Sequence, residues 1–460
     1  MKDGPSLFDA EPENLDRLFS QILGEPEDQK SSEPRPTREG GLEQPGGRIG
    51  RYKLLGVLGE GGMGLVYLAE QEGEIRRTVA LKVIKPGMDS KRVIARFDNE
   101  RQALALLDHP HIAQVYDAGT TEIGRPYFVM EYVKGQPITE YCDHHKPSIE
   151  ERLKLFQQVC DAVQHAHQKG IIHRDIKPSN ILVAAEGDKA IPKIIDFGVA
   201  KAIAGPLIEQ TLFTQDRQLL GTPEYMSPEQ ADMANEDIDT RSDIYSLGVL
   251  LYVLLTGVLP FDSTTFRGGG IDHVRQVIRE VDPKTPSTRL ASLGEQATRV
   301  AEHRRTEVGK LARRLHRELE WIPLKAMRKE RARRYRSASD LADDIENYLK
   351  GEPLIAGPLG TGYRLKKFVR RNRVLVGGIT AVLVVLAAGT AVSTIFAIGQ
   401  ARARTEAEGA TAEAQVIQDF LRGDVLGLAQ MVKGREATVI DVLNAAVAKL
   451  NKGKFQDQPL

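Results

Sequence analysis

A run of 26 residues without a charged side chain, residues 374–399, limits most strongly what this chain can fold into. A helix needs roughly 20 apolar residues to cross the hydrocarbon core of a bilayer, so the run is long enough to span one. The residues just before it are basic: Arg364, Lys366, Lys367, Arg370, Arg371 and Arg373. The bases that follow it, Arg402 and Arg404, are balanced by Glu406 and Glu408. This asymmetry predicts a transmembrane helix with the N-terminal part of the chain in the cytoplasm. The alternative, a buried helix of a globular core, fits this length and basic flank poorly.

The run divides the chain into regions of different composition. Residues 1–50 carry eleven acidic and six basic residues, six prolines and seven glycines, which predicts a disordered acidic segment. Residues 51–350 are long enough for a folded domain, and residues 351–373 form a basic linker before the membrane. Residues 400–460 are rich in alanine with apolar residues at helical spacing, which predicts a helical segment outside the membrane.

The overall charge and the cysteine count exclude several classes of function. The 63 basic and 63 acidic residues cancel, so the net charge gives no reason to expect a nucleic-acid partner. Two cysteines, Cys142 and Cys160, are too few for a disulfide framework or a cysteine-based zinc site. A reducing compartment for most of the chain fits that count.

The order of predicted strands and helices indicates an α+β, bilobal architecture. Three strands with one helix are expected near the start: 52–58, 65–70, 78–84, and a helix from Ser90 that ends before Pro110. Helices dominate from Ser148, which forms a capping box with Glu151, and the first of them stops at Gly170. A strand-rich lobe followed by a helix-rich lobe places any small-molecule site in the cleft between them.

Glycines are closely spaced at the first predicted turn, where Gly59, Gly61, Gly62 and Gly64 precede Val66. Such spacing lets backbone amides approach phosphate oxygens without a Cβ in the way. A dinucleotide-binding turn would need a helix next, where a strand is predicted, and the Gly-Lys-Ser/Thr of a Walker loop is absent. The motif alone leaves two interpretations, a phosphate-binding flap in a hairpin or a flexible turn.

A lysine in the following strand narrows this choice. Lys82 ends the sequence Val-Ala-Leu-Lys and stands among apolar neighbours, where an unpaired ammonium would be costly. Glu100 shares the inner stripe of the next predicted helix and also needs a partner. We expect Lys82 and Glu100 to pair and the lysine to contact nucleotide phosphates. The alternative is a solvated Glu100 at the edge of the stripe.

The strongest cluster of motifs is His173-Arg174-Asp175-Ile-Lys177-Pro-Ser-Asn180, followed by Asp196-Phe197-Gly198 and Ser227-Pro228-Glu229. With these motifs, and with the glycine turn and Lys82 before them, the chain resembles the eukaryotic-like serine/threonine protein kinases of bacteria. The resemblance covers roughly residues 52–349 and implies the protein kinase fold.

The resemblance assigns roles to individual residues. It implies that Asp175 is the catalytic base, that Lys177 neutralises the transferred phosphoryl group, and that Lys82 with Glu100 holds the phosphates of ATP. Asn180 and Asp196 would bind Mg²⁺, with Mn²⁺ as an alternative ion. Val66 and Ala80 would line the nucleotide site, and the backbone of Glu131 and Val133 would meet adenine, next to the gatekeeper Met130.

Further expectations concern support and regulation. The resemblance implies that buried Asp243 braces the catalytic loop, that His173 packs near Phe197, and that Glu229 pairs with Arg334. Arg174 would bind a phosphorylated residue of the activation segment, where Thr211 and Thr214 are the candidate phosphorylation sites. Thr222 would instead support the catalytic residues. A homodimer for autophosphorylation in trans would be a consequence of such regulation.

Two functional interpretations remain at this point. One is an active kinase that transfers phosphate from ATP to serine or threonine of unidentified protein substrates; the other is a pseudokinase that acts as a membrane-tethered scaffold. The presence of Lys82, Asp175, Asn180 and Asp196 favours the active kinase. The apolar run and its basic flank predict a protein that crosses the inner membrane once, with the lipid bilayer as a partner and the C-terminus outside. The C-terminal residues resemble the entry to the tetratricopeptide repeats of some large bacterial kinases, and no repeat is completed.

Overall fold

The computed structural model describes residues 44–61, 64–74, 76–84, 106–187, 189–197, 223–232, 238–262, 265–266, 270–358 and 360–426, and four single positions beyond. Elements are numbered over these residues. Several predictions lie outside the described residues: the helix from Ser90, Gly62, Glu100, Thr211, Thr214 and Thr222.

An antiparallel sheet forms the N-terminal lobe. Its strands are β1 (Arg48–Ile49), β2 (Tyr52–Gly61), β3 (Gly64–Gln71), β4 (Arg77–Ile84), β5 (Val115–Thr120) and β6 (Pro126–Glu131). The spatial order is β1-β2-β3-β4-β6-β5. The three strands predicted from the sequence are present and longer than expected, because backbone pairing continues into the turns. Tyr52, Leu54, Tyr67, Leu81 and Val129 form part of the lobe's own small core.

Helices dominate the second lobe, as the sequence predicts. They are α1 (Ile138–His145), α2 (Ile149–Gln168), α3 (Pro228–Ala231), α4 (Thr240–Thr256), α5 (Ile271–Glu280), α6 (Pro286–Ala291), α7 (Gln296–Glu302), α8 (Val308–Arg314), α9 (Trp321–Ala326) and α10 (Ala338–Lys350). A second small sheet contains β7 (Gln136–Pro137), β8 (Ile181–Glu186) and β9 (Lys189–Ile194).

Local sequence explains where α2 begins and which face it buries. Ser148 accepts a hydrogen bond from Glu151 N, and the Glu151 carboxylate accepts one from Ser148 N at 2.7 Å, so the predicted capping box is confirmed. The predicted inner-face residues Leu153, Phe156, Val159 and Val163 are all fully buried. They pack with α4, the most buried helix of the lobe, and thereby hold the loops at the cleft in place.

A buried ion pair links two distant parts of the second lobe. Arg334 Nη1 and Nη2 donate to the two carboxylate oxygens of Glu229 at 2.7 and 2.8 Å, which confirms the predicted pair. Ser242 Oγ donates to the same carboxylate at 2.6 Å. The pair joins α3 to the segment just before α10.

Contacts divide the chain into two compact units. One extends to Lys350 and includes Leu354–Gly357; the other consists of Gly351–Pro353 and the residues from Pro358 onward. The second unit holds α11 (Thr361–Arg371) and α12 (Arg373–Asp419). Within the described residues, α12 is the one helix long and apolar enough to cross a membrane. It continues past Gly399, the predicted end of the transmembrane span, to Asp419 in the segment predicted to be helical, because the alanine-rich sequence there favours helix.

Candidate active site

The glycine-rich turn is the tip of the β2–β3 hairpin. The register pairs Gly59 with Val66 and Gly61 with Gly64 across the two strands. A strand follows the turn, so the structure agrees with a flap in a hairpin and not with a dinucleotide-binding turn.

The glycines differ in what a side chain would meet. A Cβ on Gly64 would lie 2.2 Å from Val83 O, which is backbone of β4 and cannot move aside cheaply. A Cβ on Gly59 would have no heavy atom within 4 Å. Gly64 is therefore required by the fold, whereas the space above Gly59 is open.

Alanine substitutions should separate these two roles. We expect Gly64→Ala to destabilise the N-terminal lobe by about 1–3 kcal/mol, because the added methyl forces β3 and β4 apart. Gly59→Ala should leave the thermal midpoint unchanged and raise the KM for ATP, because a methyl would then stand where phosphates approach. Thermal unfolding and nucleotide titration of both variants would check this. An equal loss of stability in both would contradict it.

Lys82 lies at the centre of the cleft. Ala80 and Lys82 are two residues apart on β4 and so share a face, and the register sets Val66 opposite Lys82. The Lys82 side chain is only 8% exposed, and its Nζ pairs with Asp196 Oδ1. The predicted Lys82–Glu100 pair stays a prediction, because Glu100 lies outside the described residues.

Three polar side chains of the loop before β8 converge. Lys177 Nζ lies 2.9 Å from Asp175 Oδ2. Asn180 Nδ2 donates to the same oxygen at 3.0 Å and to the Asp175 backbone carbonyl at 2.8 Å. The Asp175 carboxylate is therefore held in place, and the side-chain oxygen of Asn180 is the atom available to a cation.

Asp243 braces this loop from below, as predicted. It is buried on α4 and accepts hydrogen bonds from His173 N and Arg174 N, both at 2.8 Å. His167 Nε2 lies 2.7 Å from the same carboxylate. Burial alone raises the pKa of Asp243, but the hydrogen bond and charge of His167 and the bonds from His173 outweigh it and hold the pKa below its usual value. The predicted packing of His173 on Phe197 is confirmed, with ring centroids 4.7 Å apart.

Two site residues have a left-handed backbone. Arg174 has φ +63° and Asp196 has φ +59°, a region that is costly for a side chain such as arginine. Such strain persists only where surrounding contacts enforce it, and it is concentrated at functional sites. For Arg174 the contacts are Asp243 and Gln230, whose Nε2 donates to Arg174 O at 2.8 Å.

The link between the lobes carries the predicted adenine contacts. Glu131 N donates to Gln114 O at 2.8 Å, so a contact between the Glu131 backbone and a base would use its carbonyl oxygen. The Glu131 side chain pairs with Lys193 Nζ at 2.7 Å. Lys193 was not predicted from the sequence, because only the β8–β9 hairpin brings it beneath the link.

A cavity of about 710 Å³ joins all of these parts. Every predicted site residue within the described part of the chain lines it: Gly59, Gly61, Gly64, Val66, Ala80, Lys82, Glu131, Val133, Arg174, Asp175, Lys177, Asn180 and Asp196. Leu58, Tyr132 and Leu182 also line it and were missed. Their spacing offered a weak signal, since each lies within two residues of a predicted site residue or motif.

The described fold has two lobes, with a glycine-rich hairpin over the cleft and the loop of Asp175, Lys177 and Asn180 below it. Residues 52–316, more than half of the chain, match the family described as protein kinase domain. The chain therefore belongs to the protein kinase family.

Curated relatives come from several bacteria. Serine/threonine-protein kinase PknB of Mycobacterium leprae is 36% identical over 309 residues, which cover 66% of this chain and 44% of that protein. Serine/threonine-protein kinase PrkC of Bacillus subtilis is also 36% identical over 309 residues, covering 66% and 41%. Serine/threonine-protein kinase pkn3 of Myxococcus xanthus is 37% identical over 249 residues, covering 54% and 45%. The predicted resemblance to bacterial serine/threonine kinases is confirmed, and the chain spans less than half the length of these relatives.

Proposed function

We propose that this chain is a membrane-anchored serine/threonine protein kinase that transfers the γ-phosphoryl group of ATP to protein hydroxyls. The observation that carries the proposal is the meeting of Lys82, Asp175, Lys177, Asn180 and Asp196 on one cavity below the glycine hairpin. A scaffold without activity would have no need for all five in this arrangement.

In this proposal Asp175 orients the acceptor. Its carboxylate accepts the proton of a serine or threonine hydroxyl while the hydroxyl oxygen bonds to the γ-phosphorus. The bond from that phosphorus to the β–γ bridging oxygen breaks, and ADP leaves. Lys177, beside Asp175, neutralises charge on the transferred group, and Lys82 holds the other phosphates.

The oxygen donors at the site fit a hard divalent cation. Asp196 contributes a carboxylate and Asn180 a side-chain oxygen, which are ligands that Mg²⁺ prefers. Among the described residues, no group of three histidine, cysteine, aspartate or glutamate side chains could hold a metal by itself. Mg²⁺ fits, because it commonly uses one or two protein ligands together with substrate phosphates; bound there, it would neutralise developing charge.

The proposal includes regulation through the activation segment. Arg174 is held next to Asp175 in a strained conformation, where a phosphate on Thr211 or Thr214 would meet a fixed cation. Such a pair would link the activation segment to the loop that carries Asp175.

The membrane anchor is the apolar part of α12. At 1.5 Å per residue, a 26-residue helix is about 39 Å long, against about 30 Å of hydrocarbon. Its most apolar window has no buried residue, which favours a membrane span over the core helix of a soluble domain. The bases before it support a cytoplasmic kinase domain and a C-terminus on the other side.

Phosphorylation of the purified full chain tests the proposal. With ATP and Mg²⁺ we expect phosphoserine or phosphothreonine on the chain itself or on an added protein substrate, mapped by mass spectrometry. EDTA should abolish incorporation, and added Mg²⁺ or Mn²⁺ should restore it, because Asp196 and Asn180 cannot position the phosphates alone. Nucleotide binding without phosphate transfer, whichever divalent metal ion is added, would instead favour the pseudokinase scaffold.

A further inference from the structure

The short helix α11, just before the membrane helix, is strongly amphipathic. Leu365, Phe368 and Val369 lie three and four residues apart and so share one face. Their exposed fractions are 63%, 46% and 39%, which is high for apolar side chains of this size. An apolar face this exposed in a charged helix indicates a surface that contacts something less polar than water.

The remaining faces of α11 are basic. Arg364, Lys366, Lys367, Arg370 and Arg371 occupy them, and the chain contains no acidic residue between Glu352 and Glu406. Arg371 pairs with Glu352 at 2.5 Å, so part of that one charge is compensated. These basic side chains form a cationic rim on both sides of the apolar stripe. This pattern is typical of helices that lie in the interface of an anionic membrane.

A groove runs along the same helix. Its volume is about 600 Å³, and Leu365, Phe368 and Pro353 line it together with Arg364 and Lys367. An apolar floor with a cationic edge matches a phospholipid, which joins acyl chains to a phosphate.

The position of α11 in the chain favours the lipid surface as the partner of its apolar face. It ends at Arg371, and α12 begins two residues later at Arg373, with the apolar run starting at residue 374. The backbone between them departs from helix at Asn372, where φ is −108° and ψ is 45°. If α12 spans the bilayer, the C-terminal end of α11 must therefore lie at the headgroup level, where its basic rim meets phosphate.

We propose that α11 is an interfacial helix that lies on the cytoplasmic, anionic surface of the membrane, with Leu365, Phe368 and Val369 inserted and its basic side chains binding lipid phosphates. This rests on the proposed membrane span of α12.

Fluorescence quenching in nanodiscs tests the proposal on the full chain. A single cysteine is introduced at Val369 on the apolar face, at Tyr363 on the opposite face, or at Leu386 inside the apolar run, and is labelled with an environment-sensitive dye. The discs contain acyl-brominated phosphatidylcholine with or without phosphatidylglycerol. Cys142 and Cys160 are buried, and the parent protein gives their background labelling.

The expected pattern distinguishes the span from the interfacial helix. The label at 386 should be quenched in both lipids, and the label at 369 should be quenched when phosphatidylglycerol is present. That quenching should be lost in high salt and after Lys366→Gln, Lys367→Gln and Arg370→Gln together, because headgroup attraction is electrostatic. The label at 363 should stay unquenched.

Other outcomes would contradict specific parts of the proposal. Quenching at 386 without quenching at 369 would reject the interfacial helix and leave the span intact. The same conclusion would follow if the dye at 369 reported an apolar environment only after another protein was added. No quenching at 386 would reject the span itself. Equal quenching at 369 in neutral lipid, or in the glutamine variant, would reject recognition of anionic headgroups.

Discussion

Asp175→Asn is expected to lower the rate of phosphate transfer by about 10³-fold, the range that a positioned general base contributes. The substitution keeps the size of the side chain and an oxygen that can accept the hydrogen bond from Asn180. It removes the group that takes the proton of the acceptor hydroxyl and also the counterion of Lys177. Steady-state incorporation of phosphate into a protein substrate measures the change.

Two controls make this result specific to the site. Nucleotide affinity should change little, because the hairpin, Lys82 and the link between the lobes hold ATP in the proposal. Asp272→Asn on α5 removes a carboxylate whose side chain is 98% exposed and should leave the rate unchanged. A variant of Asp175 that keeps a rate within about tenfold of the parent would show that this residue is not the base.

Of the substitutions proposed for this protein, Arg334→Leu should lower the free energy of unfolding most, by about 3–5 kcal/mol, because it leaves the Glu229 carboxylate buried without a countercharge. The side chains of Arg334 and Glu229 are 0% and 4% exposed. Trp321, the only tryptophan of the chain, lies in the same lobe and reports its unfolding by fluorescence. Chemical denaturation of the full chain in detergent would give the midpoint.

A second substitution and a surface pair serve as controls. Removing Glu229 as well, by Glu229→Leu in the same protein, should recover much of the loss, since a buried pair replaced by apolar side chains is often neutral. Lys310→Ala breaks an exposed pair with Glu307 and should cost about 0–1 kcal/mol. If the double variant is no more stable than Arg334→Leu, the loss reflects packing rather than an unpaired charge.

The stability that the Glu229–Arg334 pair contributes should change with pH in a definite direction. Burial raises the pKa of Glu229, but Arg334 and Ser242 outweigh it, so the pKa lies below the ordinary value of 4.5. The stabilisation is therefore complete above pH 4.5 and is lost as the pH falls through the lowered pKa. In Arg334→Leu, burial is opposed only by the hydrogen bonds of Ser242 and the backbone, so the pKa of Glu229 rises above its value in the parent protein. The difference in stability between the two proteins should accordingly narrow as the pH falls through the higher pKa of Glu229 in the variant.

Patterns that act over short distances in the sequence were predicted well. The capping box of Ser148 and Glu151 and the buried stripe of α2 follow from helical spacing alone. The hairpin of Gly59 and Gly64 follows from the strands on either side of it. These features could be predicted because the interacting groups are at most a few residues apart.

Contacts between distant segments were predicted only where the family resemblance suggested them. The resemblance supplied the Glu229–Arg334 pair and the role of Asp243. It did not supply the Asp196 partner of Lys82, the Gln230 bond to Arg174 or the Lys193–Glu131 pair. Each of these joins elements whose relative placement depends on packing of the whole lobe.

The sequence by itself determined the two-lobed class and the apolar run of α12, because these depend on residue order and periodicity, and the family resemblance supplied most of the residues that line the cleft. Only the tertiary structure decided which oxygen of Asp175 meets Lys177, why Gly64 cannot carry a side chain, and the left-handed backbone of Arg174 and Asp196. Those features arise where strands and loops from separate parts of the chain pack against each other, and no local sequence pattern predicts such contacts.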